Sequence, residues 1–190
     1  MIGFLLVATV VIVVPGPDFA LTVRNAVTRR AGFATAAGVV SGQVCWVFAS
    51  AAGLSAVLLE SQRAFDILRL VGAAYLVYLG VSALLAAWRG AALHQPRRFG
   101  VRSPYAQGLL SNLANPKMPV FFISLLPQFG ATFAELALHG LAFAAITLVW
   151  LSLVGHAAAL LRIEPLQRAV DAIAGVVLVT LGLHLAAERR

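Results

Sequence analysis

Charge is what this chain has least of. Only 11% of its 190 residues are charged, where a soluble domain carries roughly 25%. A chain this poor in charge cannot cover a surface facing water, which makes it an integral membrane protein. It has a single cysteine, Cys45, so an internal disulfide is excluded. No stretch alternates with strand period, and no long polar domain interrupts the apolar runs. Glycine-rich phosphate loops, nucleophile elbows and HExxH sequences are all missing. His139, His156 and His184 are scattered among apolar residues, and His94 stands apart in a basic stretch. No cysteine or carboxylate accompanies them at metal-ligand spacing, so neither a metal nor another cofactor is expected. Lysine is nearly absent too: Lys117 is the only one, and every other basic side chain is arginine.

What the chain does have is apolar residues, 61% of the total, with a mean hydropathy of +0.93. The net charge of +7 and pI near 11.1 suggest nucleic acid at first sight. The arginines, however, fall in short clusters between apolar spans, a pattern that reads as topology signals and headgroup contacts. The expected partner is the lipid bilayer, not nucleic acid. About 20 apolar residues cross a bilayer, and six runs qualify: 2–23, 31–59, 65–88, 105–126, 133–161 and 170–187. These predict an all-α protein of two three-helix halves, residues 1–88 and 105–187, joined by a basic loop at 89–104. The N-terminus lacks a basic n-region, so the first run is expected to belong to the mature protein. Arg24, Arg29 and Arg30, then Arg89, Arg97, Arg98 and Arg102, then Arg162 and Arg168 follow spans one, three and five. This arrangement predicts cytoplasmic loops after those spans and both termini outside. Arg189 and Arg190 at the C-terminus oppose that orientation.

Two of the six runs are broken. Pro15-Gly16-Pro17-Asp18 interrupts the first, and Asn115-Pro116-Lys117-Met118-Pro119 interrupts the fourth. Proline removes a helical donor and clashes one turn back. Within a bilayer such a break is tolerated where protein or a wet cavity satisfies the freed groups. The two halves superpose at a fixed offset of 102 residues, which lays Pro17 on Pro119, Gly38 on Gly140 and Gly80 on Gly182. With three spans per half, the second copy enters the membrane upside down. That is an inverted repeat, and paired broken helices at matching positions point to a transport site. Gly38 with Gly42, Gly72 with Gly80, and Gly175 with Gly182 are small residues where helices are expected to pack closely.

Each break carries one charge. An ionisable residue within the membrane marks a functional site by default. Lys117, together with a half-helix N-terminus, suits a carboxylate. Asp18 suits an ammonium or a proton, or alternatively caps its own half-helix. A zwitterionic amino acid offers both charges a few ångström apart, so the two breaks facing one cavity would hold it between them. An Asp18–Lys117 pair with no ligand role is the simpler alternative. Asn115 and Gln43 are further polar candidates, since an amide can serve freed backbone groups as donor and acceptor. The rival readings are an exporter of another small solute or cation, an intramembrane enzyme and a non-transporting assembly protein.

Pro-Gly-Pro-Asp at 15–18, Gly32 with Gly38 and Gly42, and the run from Gly72-Ala73-Ala74-Tyr75-Leu76 to Gly80 form one part of a larger pattern. Asn115-Pro116-Lys117 and Leu126-Pro127-Gln128-Phe129 complete it. Together these resemble the LysE/RhtB family of amino-acid exporters, and the resemblance covers nearly the whole chain. It implies proton-coupled efflux of amino acids from a bacterial cytoplasm, through a multi-pass protein of the inner membrane. Basic substrates would call for several embedded acids, which are scarce here, so a neutral substrate such as threonine, homoserine or leucine is expected. A homo-oligomer is left open.

Overall fold

The computed structural model describes residues 2–14, 16–60, 62–89, 100–130, 132–157 and 164–187. Pro15, His94, Arg97, Arg98, Arg162, Arg189 and Arg190 lie outside them. Helix α1 (Ile2–Val13) and α2 (Pro17–Asn25) meet at the first proline cluster with a 58° bend. Long helices α3 (Arg29–Glu60) and α4 (Gln62–Arg89) complete the first half. The second half opens with α5 (Pro104–Leu113) and the one-turn α6 (Lys117–Val120). A π-helical turn at Phe121–Leu125, a 3₁₀ turn at Leu126–Gln128, α7 (Phe133–His156) and α8 (Glu164–Ala187) follow. The described residues contain no strand. Among the described residues, three helical stretches are long and apolar enough to cross a membrane alone: Arg29–Gly53, Leu70–Arg89 and Phe133–His156. The bent pair α1/α2 makes a fourth if counted as one span.

The sequence chemistry explains the interruptions. Pro17 sits in the first turn of α2, where a missing N–H costs nothing. Pro119 has no amide to give the Asn115 carbonyl, which accepts from Met118 N instead at 3.1 Å. After α6 the backbone widens into the π turn and then tightens. Gln128 Nε2 donates to the Ser124 carbonyl at 2.8 Å across that change. Helix α7 starts on a reciprocal cap, with Thr132 accepting from Glu135 N and Glu135 accepting from Thr132 N.

Close backbone contact organises the bundle. Lipid tails are as apolar as leucine, so membrane helices associate through packing of small residues rather than through the hydrophobic effect. A methyl group on Gly80 would lie 2.7 Å from the Gly175 carbonyl oxygen and 2.7 Å from a Val179 methyl. A methyl group on Gly182 would meet the Ala73 carbonyl oxygen and a Val77 methyl, each at 2.8 Å. The second environment repeats the first with its residues exchanged between α4 and α8 at the offset of 102. It also shows that α4 and α8 run antiparallel. Helices α3 and α7 are antiparallel as well: Gly140 faces Val47, and Gln43 bonds to Thr147. Helix α5 runs parallel to α3, with Gly108 on the Thr35 carbonyl and Gly42 on Asn112. At the bend centre, Phe4, Phe121, Phe122, Phe143, Met118 and Leu178 fill the core. Phe121 stacks on Phe143 at 4.2 Å. Arg24 and Asn25, at the end of α2, both donate to Gln107 Oε1 at 3.0 Å, tying the first loop to α5.

Candidate functional site

The two breaks meet, and the second supplies donors to the first. Asp18 is the second residue of α2, after Gly16 in extended conformation (φ −150°, ψ −175°) and Pro17. Its side chain does not cap its own helix. It crosses to the end of α5 instead. Ser111 Oγ donates to Oδ1 at 2.7 Å. Asn112 Nδ2 and Asn115 Nδ2 donate to Oδ2 at 2.9 and 3.0 Å. All four side chains are buried. A carboxylate offers about four lone-pair sites, so one remains open, on Oδ1. Gly42 makes this cradle possible, because a methyl there would lie 2.8 Å from Asn112 Oδ1.

Lys117 opens α6, with its amide held by Asn115 Oδ1 at 3.0 Å. Its ammonium does not pair with Asp18. It passes over Gly16 and donates to the Val11 carbonyl at 2.9 Å. In a continuous helix that carbonyl would accept from the amide of residue 15, and residue 15 is proline, which has no N–H. The lysine of the second break thus supplies the donor that the first break lacks. Asp18 and Lys117, expected to oppose each other across one cavity, do line one together. Its other polar walls are Gln43, Asn115 and Thr147. The cavity is small, about 20 Å³, room for about one water. Gln43 is 2% exposed and donates to Thr147 Oγ1 at 3.2 Å. Its Oε1 has no partner.

On the other side of Lys117 lies a second cavity of about 320 Å³. Gly16, Pro17, Asn115, Pro116 and Lys117 form one wall, and Tyr75, Tyr78 and Ser82 of α4 form the other. Val14, Gly16, Asn115 and Lys117 line both spaces, so Lys117 borders the two. Pro116 precedes α6 in helical conformation and Pro119 lies inside it.

Of the residues singled out from sequence, the structure brings Asp18, Asn115, Lys117 and Gln43 around one cavity, beside Ser111, Asn112 and Thr147, which were not singled out. A signal existed for the first two. Ser111, Asn112 and Asn115 are polar residues at i, i+1 and i+4 in an otherwise apolar run, placing them at one helix end beside a break. Thr147 and the tyrosines gave no such signal. His139 Nδ1 contacts the Glu135 carbonyl and His156 Nδ1 the Ser152 carbonyl, each at 2.7 Å. Among the described residues, no group of three or more His, Cys, Asp or Glu stands at metal-binding distance.

A helical membrane protein whose interrupted helices exchange polar groups, with cavities on both sides of a single lysine, has the anatomy of a translocator. The comparison with known proteins is specific. The chain belongs to the LysE type translocator family, whose model matches residues 9–189. It is therefore a multi-pass membrane translocator and not an enzyme. It is similar to the uncharacterized membrane protein YrhP of Bacillus subtilis, at 25% identity over 203 residues and 96% of each chain. An uncharacterized membrane protein of Pseudomonas aeruginosa is 36% identical over 63% of this chain and 58% of its own length. The leucine efflux protein of Salmonella typhimurium is 32% identical over 66% of this chain and 61% of its own length. No solved structure matches the chain.

Proposed function

We propose that this protein exports neutral amino acids from the bacterial cytoplasm, across the inner membrane, by alternating access at the site between its two broken helices. The observation that carries the reading is the position of Lys117. Its ammonium is parked on a backbone carbonyl at the boundary of the two cavities. A substrate carboxylate binds that ammonium better than a neutral carbonyl does, because charge-assisted hydrogen bonds are about twice as strong as neutral ones. The substrate ammonium then has two acceptors across the partition, the unpartnered Gln43 Oε1 and the open lone pair of Asp18 Oδ1. When Lys117 leaves Val11, the bend between α1 and α2 loses one of its ties. Binding is thereby linked to movement of the half-helix.

In this reading the bundle has six spans, counting α5 with the turns after α6 as the fourth and α8 as the sixth. Residues 1–88 and 105–187 form two inverted repeats. The antiparallel α4–α8 and α3–α7 pairs and the exchanged surroundings of Gly80 and Gly182 support this. The loops after spans one, three and five face the cytoplasm. Protons drive export, and Asp18 is the first candidate to carry them. The relatives named leucine efflux protein favour leucine among the neutral substrates.

The test is efflux of radiolabelled leucine, threonine and homoserine from proteoliposomes, with and without an acidic exterior. The proposal expects efflux of at least one of them, accelerated by the proton gradient. Leakage no faster than from empty liposomes would reject amino-acid export. Transport of a metal or drug cation in its place would establish the rival exporter reading.

A further inference from the structure

The larger cavity has a wall that neither the carboxylate nor the ammonium of a substrate uses. That wall is α4, which contributes Tyr75, Tyr78, Leu79, Ser82 and Ala83. Tyr75 and Tyr78 stand one turn apart with ring centroids 6.0 Å from each other, tilted by 35°. Ser82 is a turn further on. The volume of about 320 Å³ lies at the lower bound of small-molecule pockets, roughly 300–1,000 Å³, enough for one amino acid and not for a peptide. Among the described residues, Lys117 is the only charged group on its lining. A ligand there gains a cation at one end and finds apolar and aromatic surface beyond it.

We propose that this cavity is the side-chain chamber of the transport site, and that Tyr75, Tyr78 and Ser82 set its selectivity toward carboxylates bearing bulky uncharged side chains. The proposal rests on the export reading above and adds the residues that decide which amino acid is taken. A substrate with its carboxylate on Lys117 and its ammonium turned into the small cavity has its side chain directed toward α4, the direction left to it. Branched aliphatic or aromatic groups bury apolar surface against the tyrosine rings. A lysine or arginine side chain would meet no carboxylate there and would bring a second cation beside Lys117. Glycine would leave the chamber unfilled.

The folded protein can be tested directly. In a Cys45→Ser, Ser82→Cys background, the introduced thiol is modified in proteoliposomes with a methyl or a benzyl methanethiosulfonate. The benzyl adduct fills the chamber and is expected to cut leucine and phenylalanine efflux roughly tenfold or more, the scale of hydrophobic-pocket discrimination. The methyl adduct of the same protein is the reference, and relative to it alanine and glycine efflux should stay within about twofold. Equal loss for large and small substrates, or leucine efflux untouched by the benzyl adduct, would overturn the chamber. Protection of the thiol by added leucine, but not by added lysine, reports occupancy without transport. Protection with no efflux would sink the export reading and keep the chamber. Efflux with no protection would do the reverse, and absence of both would remove both.

Discussion

The Lys117 ammonium lies 2.9 Å from the Val11 carbonyl, a group 106 residues away in sequence. A second contact between the breaks runs from Asn115 Nδ2 to Asp18 Oδ2 at 3.0 Å. Both contacts are donated by the second break and accepted by the first. An unsatisfied backbone carbonyl in a membrane costs several kcal/mol or less depending on access to water. The halves therefore cannot separate without exposing that cost.

Lys117→Met keeps the length of the side chain and removes its donor. Export is expected to be abolished, and the folded protein to lose about 1–3 kcal/mol from the orphaned Val11 carbonyl, less whatever is regained by no longer desolvating an ammonium. Lys117→Arg keeps the charge and should retain a fraction of the activity. Efflux rates and thermal melting in detergent check both. Near wild-type efflux by the methionine variant would remove Lys117 from the substrate site.

Asp18→Asn removes the charge and can keep the cradle: its oxygen still accepts from Asn112 and Asn115, and its amide donates to Ser111 Oγ, whose hydroxyl turns to accept. Substrate exchange without a gradient should survive, while acceleration by an acidic exterior should disappear. Unchanged acceleration in this variant moves the proton to another group.

Gly80→Ala and Gly182→Ala should destabilise the fold by similar amounts, about 1–3 kcal/mol each as overpacking against backbone, because each methyl meets a carbonyl oxygen and a valine across the α4–α8 seam. Gly53→Ala has nothing within 4 Å and is the control, expected to be neutral or stabilising. Melting temperatures in detergent rank the three. A large difference between the first two variants would argue against equivalent environments.

Ser82→Cys and His184→Cys occupy matching positions of the two halves, 102 residues apart. An inverted repeat places them on opposite sides of the membrane. Labelling of sealed right-side-out and inverted vesicles with a membrane-impermeant maleimide should therefore show opposite sidedness. Labelling of both from one side contradicts the inversion and with it the six-span topology.

Membrane residence, helical class and the position of both breaks were legible without coordinates. These properties depend on local composition and on proline chemistry, which act on neighbours in the chain. Pro17 begins a helix and Pro119 denies a donor wherever the rest of the protein goes. Partnership was not legible in that way. Asp18 and Lys117 read as natural opposites on charge, yet the fold gives the carboxylate three neutral donors and the ammonium a carbonyl. Which polar groups meet is decided by helix rotation and by the close approach that Gly42 and Gly80 permit. Those are properties of packing between segments about 70 to 100 residues apart, and in lipid the bare hydrophobic pattern exerts no preference among them. Sequence alone therefore determined where the helices fail, and tertiary structure decided what each failure is joined to.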